Sequence, residues 1–213
     1  MNWFLAAKHA WRQYQLRDAQ WRFLFDAPPP DEWVALDCET TGLNTRTDEI
    51  ISIGAVRIKG NRILTSRRLE LLIRPEKEVS AESIRVHRLR QQDVAGGMSA
   101  PEAMRRLLNF IGPRPLVGYY LKFDVAMINR AVRPMLGVGL PQPKIEVSKL
   151  YYDYKFRQLP AYRQHDQADI DLHFAAIMTD LGLPMRDAHD ALNDAVMAAL
   201  AFVRLRDLRG DVA

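Results

Sequence analysis

Residues 34–44 read VALDCETTGLN, and this stretch decides how the rest of the chain is interpreted. A short apolar strand at 34–36 leads into Asp37. Because side chains alternate along a strand, Asp37 and Glu39 project to one side while Cys38 faces the other. Two carboxylates at a strand end suit hard divalent cations; the alternative is a solvated strand end. The Thr-Thr-Gly that follows predicts a tight turn where the backbone can approach a ligand closely.

Outward from this stretch, the sequence predicts strands followed by alternating strands and helices. The predicted strands are 34–37, a hairpin of 50–58 and 63–73 with a turn at 59–61, then 115–118 and 145–147. The predicted helices are 99–110 with a capping-box start, 123–135, one ending at 156, one carrying Ile170, Phe174, Ile177 and Leu181 on one face, and 190–208. This order predicts an α/β fold, a mixed five-stranded sheet with helices on its faces.

Composition sets the class of protein. The chain has 213 residues, of which 48% are hydrophobic and 26% charged, which fits one globular domain with a sizeable core. Its single cysteine, Cys38, excludes an intramolecular disulfide framework and a cysteine-based zinc site. No stretch approaches the roughly 20 apolar residues that span a bilayer. A net charge of +4 permits an anionic partner without requiring one. We therefore expect a soluble, cytoplasmic protein.

The first 25 residues differ from the rest. Apolar residues recur there at alternating intervals of three and four, interrupted only by Asp18, and three of the four tryptophans of the chain lie here. This pattern predicts one amphipathic helix within residues 1–30, ended by Pro28–Pro30, ahead of a domain spanning 31–213. Three interpretations of this helix are open. It packs back on the domain, it is an interface with a second copy or with a polymerase or repair partner, or it lies on a membrane surface.

Two later segments add charged groups with the same chemistry. Asp124 lies in the first turn of a predicted helix, where an acid is also favoured by the helix dipole alone. Asp194 stands among small apolar residues, where an unpaired carboxylate is costly. His189 precedes it by five residues, so the two converge only if His189 lies on the preceding loop or first turn; otherwise it is a capping or surface residue.

Taken together, three strings resemble the DnaQ-like 3′–5′ exonucleases, in the branch with four acids and a histidine. These are VALDCETTGLN, then VGYYLKFDVAMINR about 80 residues on, then AHDALNDA about 65 further. The family includes the proofreading subunit of bacterial replicative DNA polymerase and oligoribonuclease. The resemblance covers about residues 33–205 and leaves out the N-terminal helix. It implies a ribonuclease H-like fold.

The resemblance also implies a catalytic set. Two Mg²⁺ or Mn²⁺ ions would be held by Asp37, Glu39, Asp124 and Asp194, with His189 as general base. Neutral imidazole accepts a proton from the attacking water at physiological pH. The products would be nucleoside 5′-monophosphates released one at a time from a free 3′ end of single-stranded DNA or RNA.

Substrate contacts are expected from six further residues and from three arginines next to one of them. The Thr-Thr-Gly turn contributes Thr40 and Gly42, and Leu43 is placed to pack against the terminal base as in relatives. His87 and the neighbouring Arg85, Arg88 and Arg90 are expected at phosphates, or form a solvated basic face. Tyr119 and Tyr120 offer a stacking surface, or are strand-end core aromatics. They replace the His-Asn common in the family, and Arg88 replaces a common glycine.

Other functions remain open at this stage. The chain could be a nucleic-acid-binding module derived from such an enzyme, or a scaffold subunit that works through its N-terminal helix. All five catalytic side chains are present, which favours the enzyme. Charge is unevenly distributed: residues 31–56 carry a net −5 and residues 57–90 a net +6. This predicts an acid-lined metal site approached over a cationic surface.

Overall fold

The computed structural model describes residues 10–160, 162, 169–186 and 189–210. Five strands are present: β1 (Glu32–Thr40), β2 (Ile50–Lys59), β3 (Arg62–Leu72), β4 (Leu116–Gly118) and β5 (Lys144–Glu146). The helices are α1 (Ala81–His87), α2 (Gln91–Val94), α3 (Ala100–Ile111), α4 (Leu121–Leu136), α5 (Val147–Gln158), α6 (Phe174–Asp180) and α7 (Ala191–Leu208). The predicted mixed five-stranded sheet flanked by helices is confirmed.

The strand order in the sheet is β3-β2-β1-β4-β5, which puts β1 at the centre. The first three strands are antiparallel, because β2 and β3 form a hairpin and β2 also pairs with β1. Gly60, with φ +56°, supplies the left-handed conformation that the two-residue hairpin turn needs. Strands β4 and β5 run parallel to β1, since helices connect them. The central strand therefore delivers its end residues to the middle of the sheet edge.

Alternation along β1 divides the core into two layers. Leu36 and Cys38 face a layer built mainly by α3 and α4. Ala35 faces the other layer, which holds α5, α6 and α7. Helix α7 is rich in buried alanines, so its backbone lies close to the sheet. The same alternation turns Asp37 and Glu39 towards α7.

The prediction of one N-terminal helix through Phe25 is wrong for the part that the structure describes. The chain is helical at 10–14, leaves the helix, and forms a 3₁₀ helix at Ala19–Phe25. Asp18 explains the break, because its carboxylate accepts a hydrogen bond from the Gln20 N–H at 3.0 Å and caps the second helix. Aspartate favours such caps over a helix interior.

Packing of this segment matches the first of the three interpretations. Trp21, Leu24 and Phe25 are buried in the α3–α4 layer. Trp11 and Tyr14, by contrast, are exposed. Residues 1–9 of the predicted helix lie outside the described residues.

Two smaller expectations also change. Ser99 precedes α3 as predicted, but its side chain makes no capping hydrogen bond. Ile170 does not share a helix with Phe174, because α6 begins only at Phe174. The Asp171 carboxylate accepts from the His173 N–H at 2.9 Å, which favours a turn before the helix. Among the described helices, none combines the length and apolarity needed to cross a membrane.

Candidate active site

Three of the predicted metal ligands converge at the end of β1. One carboxylate oxygen each from Asp37, Glu39 and Asp194 can be chosen so that all three lie within 4.8 Å of one another. Asp37 and Glu39 come from β1, and Asp194 comes from the first turn of α7. Three oxygen donors at this spacing match the ligand preference of Mg²⁺ or Mn²⁺. The donor set therefore fits a divalent cation.

A glycine allows α7 to approach the strands this closely. Gly54 is the β2 partner of Asp37 in the ladder. A Cβ at Gly54 would lie 2.2 Å from both the Ala191 carbonyl carbon and the Leu192 nitrogen. The start of α7 thus rests directly on the β2 backbone, which brings Asp194 over Asp37. Gly54 was not predicted from the sequence, although a glycine inside a strand does signal close backbone approach.

Asp124 lies beside this triplet, on the first turn of α4. Its side chain is 3% exposed, next to Cys38 on the other face of β1. Burial raises the pKa of Asp124 to about 8, although backbone hydrogen bonds to its carboxylate act in the opposite direction. We call Asp37, Glu39, Asp124 and Asp194 the acidic centre.

Repulsion between carboxylates adds to burial in the acidic centre. Burial, followed by the charge of Asp124, raises the pKa of Asp37 well above its usual range. Burial and the charge of Asp194 raise the pKa of Glu39 to about 7. Burial also raises the pKa of Asp194. Crowded carboxylates of this kind become favourable ligands once a cation supplies the opposing charge.

His189 lies on the loop just before α7, which is the placement that convergence with Asp194 requires. Its backbone has φ +67°, and its N–H donates to Asp194 Oδ2 at 3.0 Å. The next residue, Asp190, caps α7 by accepting from the Asn193 N–H at 2.8 Å. The exposed His189 side chain is thereby anchored through its backbone to a member of the acidic centre. Asp190 also adds negative charge near Asp37 and Glu39, a contribution that the sequence analysis did not assign.

A cavity of about 280 Å³ adjoins the acidic centre and collects four of the six predicted substrate contacts. Its lining includes Thr40, Gly42, Leu43 and His87, together with Phe123. Leu43 is 85% exposed, so an apolar side chain stands at the mouth of this cavity. These residues share one concave surface with Glu39.

Hydrogen bonds hold the turn that forms one wall of the cavity. The Thr40 hydroxyl donates to the Gly42 carbonyl at 2.7 Å, and the Ser83 hydroxyl on α1 donates to the Thr41 carbonyl at 2.7 Å. A Cβ at Gly42 would lie 2.5 Å from Asp48 Oδ2, so glycine leaves room for that carboxylate. The turn is therefore fixed from both sides before any ligand binds.

His87 is buried against the same turn. Its Nδ1 accepts from the Leu89 N–H at 3.1 Å, so Nε2 carries the proton in the neutral ring. Burial lowers the pKa of His87, and the nearby His189 lowers it further. A neutral imidazole suits a hydrogen-bond donor better than a charged phosphate ligand.

The two tyrosines differ from each other. Tyr119 is packed: its ring stacks on Phe174 with centroids 4.5 Å apart, and its hydroxyl donates to the Leu172 carbonyl at 2.9 Å. Tyr120 is 68% exposed and has φ +53°, an uncommon conformation for a bulky residue. Neither lines the cavity around Leu43; Tyr120 instead borders a separate groove with Leu172 and His173.

None of the three arginines near His87 lines the cavity around Leu43. Arg85 and Arg88 are exposed, and Arg90 pairs with Asp93 at 3.0 Å. Arg88 ends α1 in the left-handed conformation, with φ +61°. Glycine adopts that conformation without strain, which accounts for the glycine common at this position in the family that the sequence resembles.

Comparisons with known proteins agree with this geometry. The sequence model of a family described as Exonuclease (RNase_T) matches residues 34–202. A DNA polymerase III of PolC type from Thermotoga maritima is 28% identical over 176 residues, which is 83% of this chain and 12% of that protein. A DNA polymerase III subunit epsilon from Aquifex aeolicus is 22% identical over 173 residues, 81% of this chain and 79% of that protein. The chain thus spans about an eighth of the length of the PolC-type relatives.

Solved structures share the fold. E. coli exonuclease I in complex with a dA16 oligonucleotide superposes with a TM-score of 0.70 at 12% identity, covering 85% of this chain and 42% of that one. Exonuclease I from Methylocaldum szegediense gives a TM-score of 0.69 at 16% identity, covering 85% and 41%. The ribonuclease H-like, DnaQ-type fold is therefore confirmed. With the family match over residues 34–202, these results identify the chain as a member of the DnaQ-like exonuclease family.

Proposed function

We propose that this protein is a metal-dependent 3′–5′ exonuclease that releases nucleoside 5′-monophosphates from single-stranded DNA or RNA. The observation that carries the proposal is the convergence of Asp37, Glu39 and Asp194 within 4.8 Å, beside a cavity, in a chain of the exonuclease family. The 3′–5′ direction, the substrate and the role of each side chain belong to the proposal.

Two divalent ions, Mg²⁺ or Mn²⁺, are proposed as the cofactor. Asp37, Glu39 and Asp194 would hold one ion, and Asp124 would support the second together with Asp37. When bound, such ions stabilise negative charge on the entering and leaving oxygens of a phosphodiester. Support comes from the raised pKa values of all four acids, because a cluster that resists its own ionisation is stabilised by added cations.

His189 is proposed as the general base. Attack by water on phosphorus breaks the P–O3′ bond, so the shortened strand keeps a 3′-hydroxyl and the released nucleoside carries the 5′-phosphate. His189 would take the proton of the attacking water. The hydrogen bond from its backbone to Asp194 supports this role, since it ties the imidazole-bearing residue to a proposed metal ligand.

The cavity around Leu43 is proposed to hold the terminal nucleoside. Thr40 and Gly42 would contact it through the turn backbone, and Leu43 would pack against its base. The buried, neutral His87 would donate a hydrogen bond from Nε2. An unpaired end fits this arrangement, because a base kept in a duplex cannot enter a cavity of about 280 Å³.

Single-stranded DNA is supported as a substrate by the neighbouring structures. One of them is E. coli exonuclease I bound to dA16, and the fold is shared over 85% of this chain. Relatives named as polymerase III subunits support a polymerase partner as well. Among the described N-terminal residues, the exposed Trp11 and Tyr14 are available to such a partner or to a second copy.

The test uses DNA and RNA 20-mers labelled at the 5′ end, with Mg²⁺, Mn²⁺ or EDTA. We expect a ladder that shortens from the 3′ end, release of 5′-monophosphates, and complete loss of both with EDTA. A 3′-labelled copy should lose its label in the first step. Absence of cleavage with either metal would contradict the proposal and favour a binding or scaffold role.

A further inference from the structure

A second charged surface lies at the other end of α4. A broad open groove of about 870 Å³ separates the loop after β1 from the C-terminal half of this helix. Of its nine lining residues four are arginines, Arg17, Arg46, Arg130 and Arg133, and none is acidic. Within the described parts of the chain, none of the four forms an ion pair. We call this surface the arginine groove.

Backbone carbonyls hold two of these side chains in place. Arg130 donates to the carbonyls of Thr45, at 3.0 Å, and of Asp48. Arg17 donates to the Pro134 carbonyl at 3.0 Å. A carbonyl orients a guanidinium without neutralising it, so the positive charge remains available.

Arg46 and Arg133 are held less tightly. Their guanidinium groups make no hydrogen bond to any residue that the structure describes. Both line the groove, from the loop and from α4 respectively. Their donors are therefore free for an anionic ligand.

The positive surface extends past the groove. Arg12 donates to the carbonyls of Gly139 and Leu140 at 2.6 and 3.2 Å, and Lys144 donates to Leu140 at 2.6 Å. Burial lowers the pKa of Arg12, and the charge of Arg133 lowers it further. Burial and the charge of Arg12 lower the pKa of Lys144 to about 8. These cations are close enough to repel one another, which is a cost that a polyanion would relieve.

The groove and the cavity around Leu43 lie along the same side of α4. Phe123, which lines the cavity around Leu43, shares one stripe of α4 with Ala126, Arg130 and Arg133, because residues three or four apart lie on the same helix face. The helical rise of 1.5 Å puts Phe123 and Arg133 about 15 Å apart along the axis. The loop makes the same connection, since Leu43 and Arg46 are three residues apart.

We propose that the arginine groove binds the sugar–phosphate backbone of a polynucleotide, at phosphates remote from the one that is cleaved. Guanidinium groups bind phosphate oxygens in pairs, and contacts to phosphates position a strand without reading its sequence. This inference rests on the proposed function, because it assigns the groove to the substrate of the same active site. It predicts that long substrates bind better than short ones and that the gain disappears at high salt.

The test compares Arg46→Ala/Arg133→Ala with wild type by fluorescence anisotropy in EDTA, where no cleavage occurs. The probes are a labelled dT20 and a labelled dinucleotide at several salt concentrations. For dT20 we expect about tenfold weaker binding at low salt and a salt slope smaller by about 1.4, since each lost phosphate contact on a single strand removes about 0.7. Dinucleotide binding should not change.

Two control variants separate position from net charge. Arg105→Ala/Arg106→Ala removes the same charge from the exposed side of α3 and should leave dT20 binding intact. Arg46→Lys/Arg133→Lys keeps the charge and should recover most of the salt slope. Unchanged melting temperatures are expected for the groove variants, because neither side chain makes a hydrogen bond within the described residues.

The outcomes distinguish this inference from the proposed function. An unchanged salt slope in Arg46→Ala/Arg133→Ala would overturn the inference that the groove binds a polynucleotide. An acidic protein segment would then be the better candidate for the groove. An equal loss for dT20 and the dinucleotide, or an equal loss in the α3 control, would also overturn the inference. The proposed function is judged separately, by whether wild type with Mg²⁺ shortens dT20 from its 3′ end.

Discussion

The acidic centre and the arginine groove gather like charges at opposite ends of α4 by different means. In the acidic centre, carboxylates are removed from water, and burial raises the pKa of every member. In the arginine groove, guanidinium groups remain at an open surface, and carbonyls orient two of them. The difference teaches that burial, more than the number of charges, decides how strongly a cluster demands a counter-ion.

The helix itself contributes to this division. Asp124 lies in the first turn of α4, where the helix dipole favours a negative charge, and Arg133 lies in the last turn, where it favours a positive one. One helix can therefore support both clusters without opposing either. Changes to the acidic centre should alter chemistry and metal binding, whereas changes to the groove should alter only strand binding.

The largest expected effect is the loss of a member of the acidic centre or of its base. Asp37→Asn and His189→Ala should each lower kcat by about a thousandfold or more, because one removes a proposed metal ligand and the other removes the proposed proton acceptor. Only Asp37→Asn should lose Mn²⁺ binding measured by calorimetry. Asp153→Asn, at a half-buried acid of α5 that pairs with Lys149, is the control. Wild-type turnover in His189→Ala would contradict the general-base assignment.

The next largest effect tests the close contact between the start of α7 and the backbone of β2. In Gly54→Ala the new Cβ would lie 2.2 Å from the α7 backbone, so the start of the helix must move away and carry Asp194 with it. A displacement of about 1 Å can cost a hundredfold in rate, and overpacking costs about 1–3 kcal/mol of the free energy of unfolding. Steady-state kinetics and thermal melts would measure both. Gly96→Ala, with no neighbouring atom within 4 Å, should change neither.

A smaller effect separates the two tyrosines. Tyr120→Ala should lower kcat/KM for single strands about tenfold and change stability little, because the ring, which meets Tyr119 edge-on, is exposed and offers base stacking worth about 1–3 kcal/mol. Tyr119→Ala should instead lower the melting temperature, since it removes the ring stacked on Phe174. Chemical denaturation together with kinetics distinguishes them. Equal activity in Tyr120→Ala and wild type would remove this residue from the substrate path.

The smallest effect is a pH-dependent response to metal. Without metal, the folded-state pKa values of about 7 for Glu39 and about 8 for Asp124 exceed those of an unfolded chain, so the folded state binds more protons. The free energy of unfolding should therefore fall as pH rises from about 4 to about 8. Mg²⁺ should raise the melting temperature by several degrees at pH 8 and hardly at all at pH 5. The opposite order would contradict the metal role of these acids.

Local patterns were enough to predict most of the fold. Alternation in residues 34–44 predicted that Asp37 and Glu39 turn to one side of β1 and Cys38 to the other, and the hairpin was predicted within one residue at each end. These features depend on neighbours in the chain, so they can be read without tertiary contacts. The N-terminal helix was predicted wrongly. In the sequence, Asp18 is a single polar residue within the repeating apolar pattern, but in the structure its carboxylate caps a new helix.

The sequence by itself determined which residue types are available for the proposed chemistry, since carboxylates and a histidine carry their chemistry wherever they are placed. Only the tertiary structure decided which of them meet. Asp194 reaches Asp37 because Gly54 lets α7 rest on β2, and Tyr119 is packed whereas its neighbour Tyr120 is exposed, because the Tyr119 ring stacks on Phe174. The arginine groove shows this most clearly. The sequence pointed to residues 57–90 as the cationic surface, but the groove draws Arg17, Arg46 and Arg133 from distant segments. A charged surface depends on which side chains are close together in the folded protein, and the order of residues along the chain does not specify this.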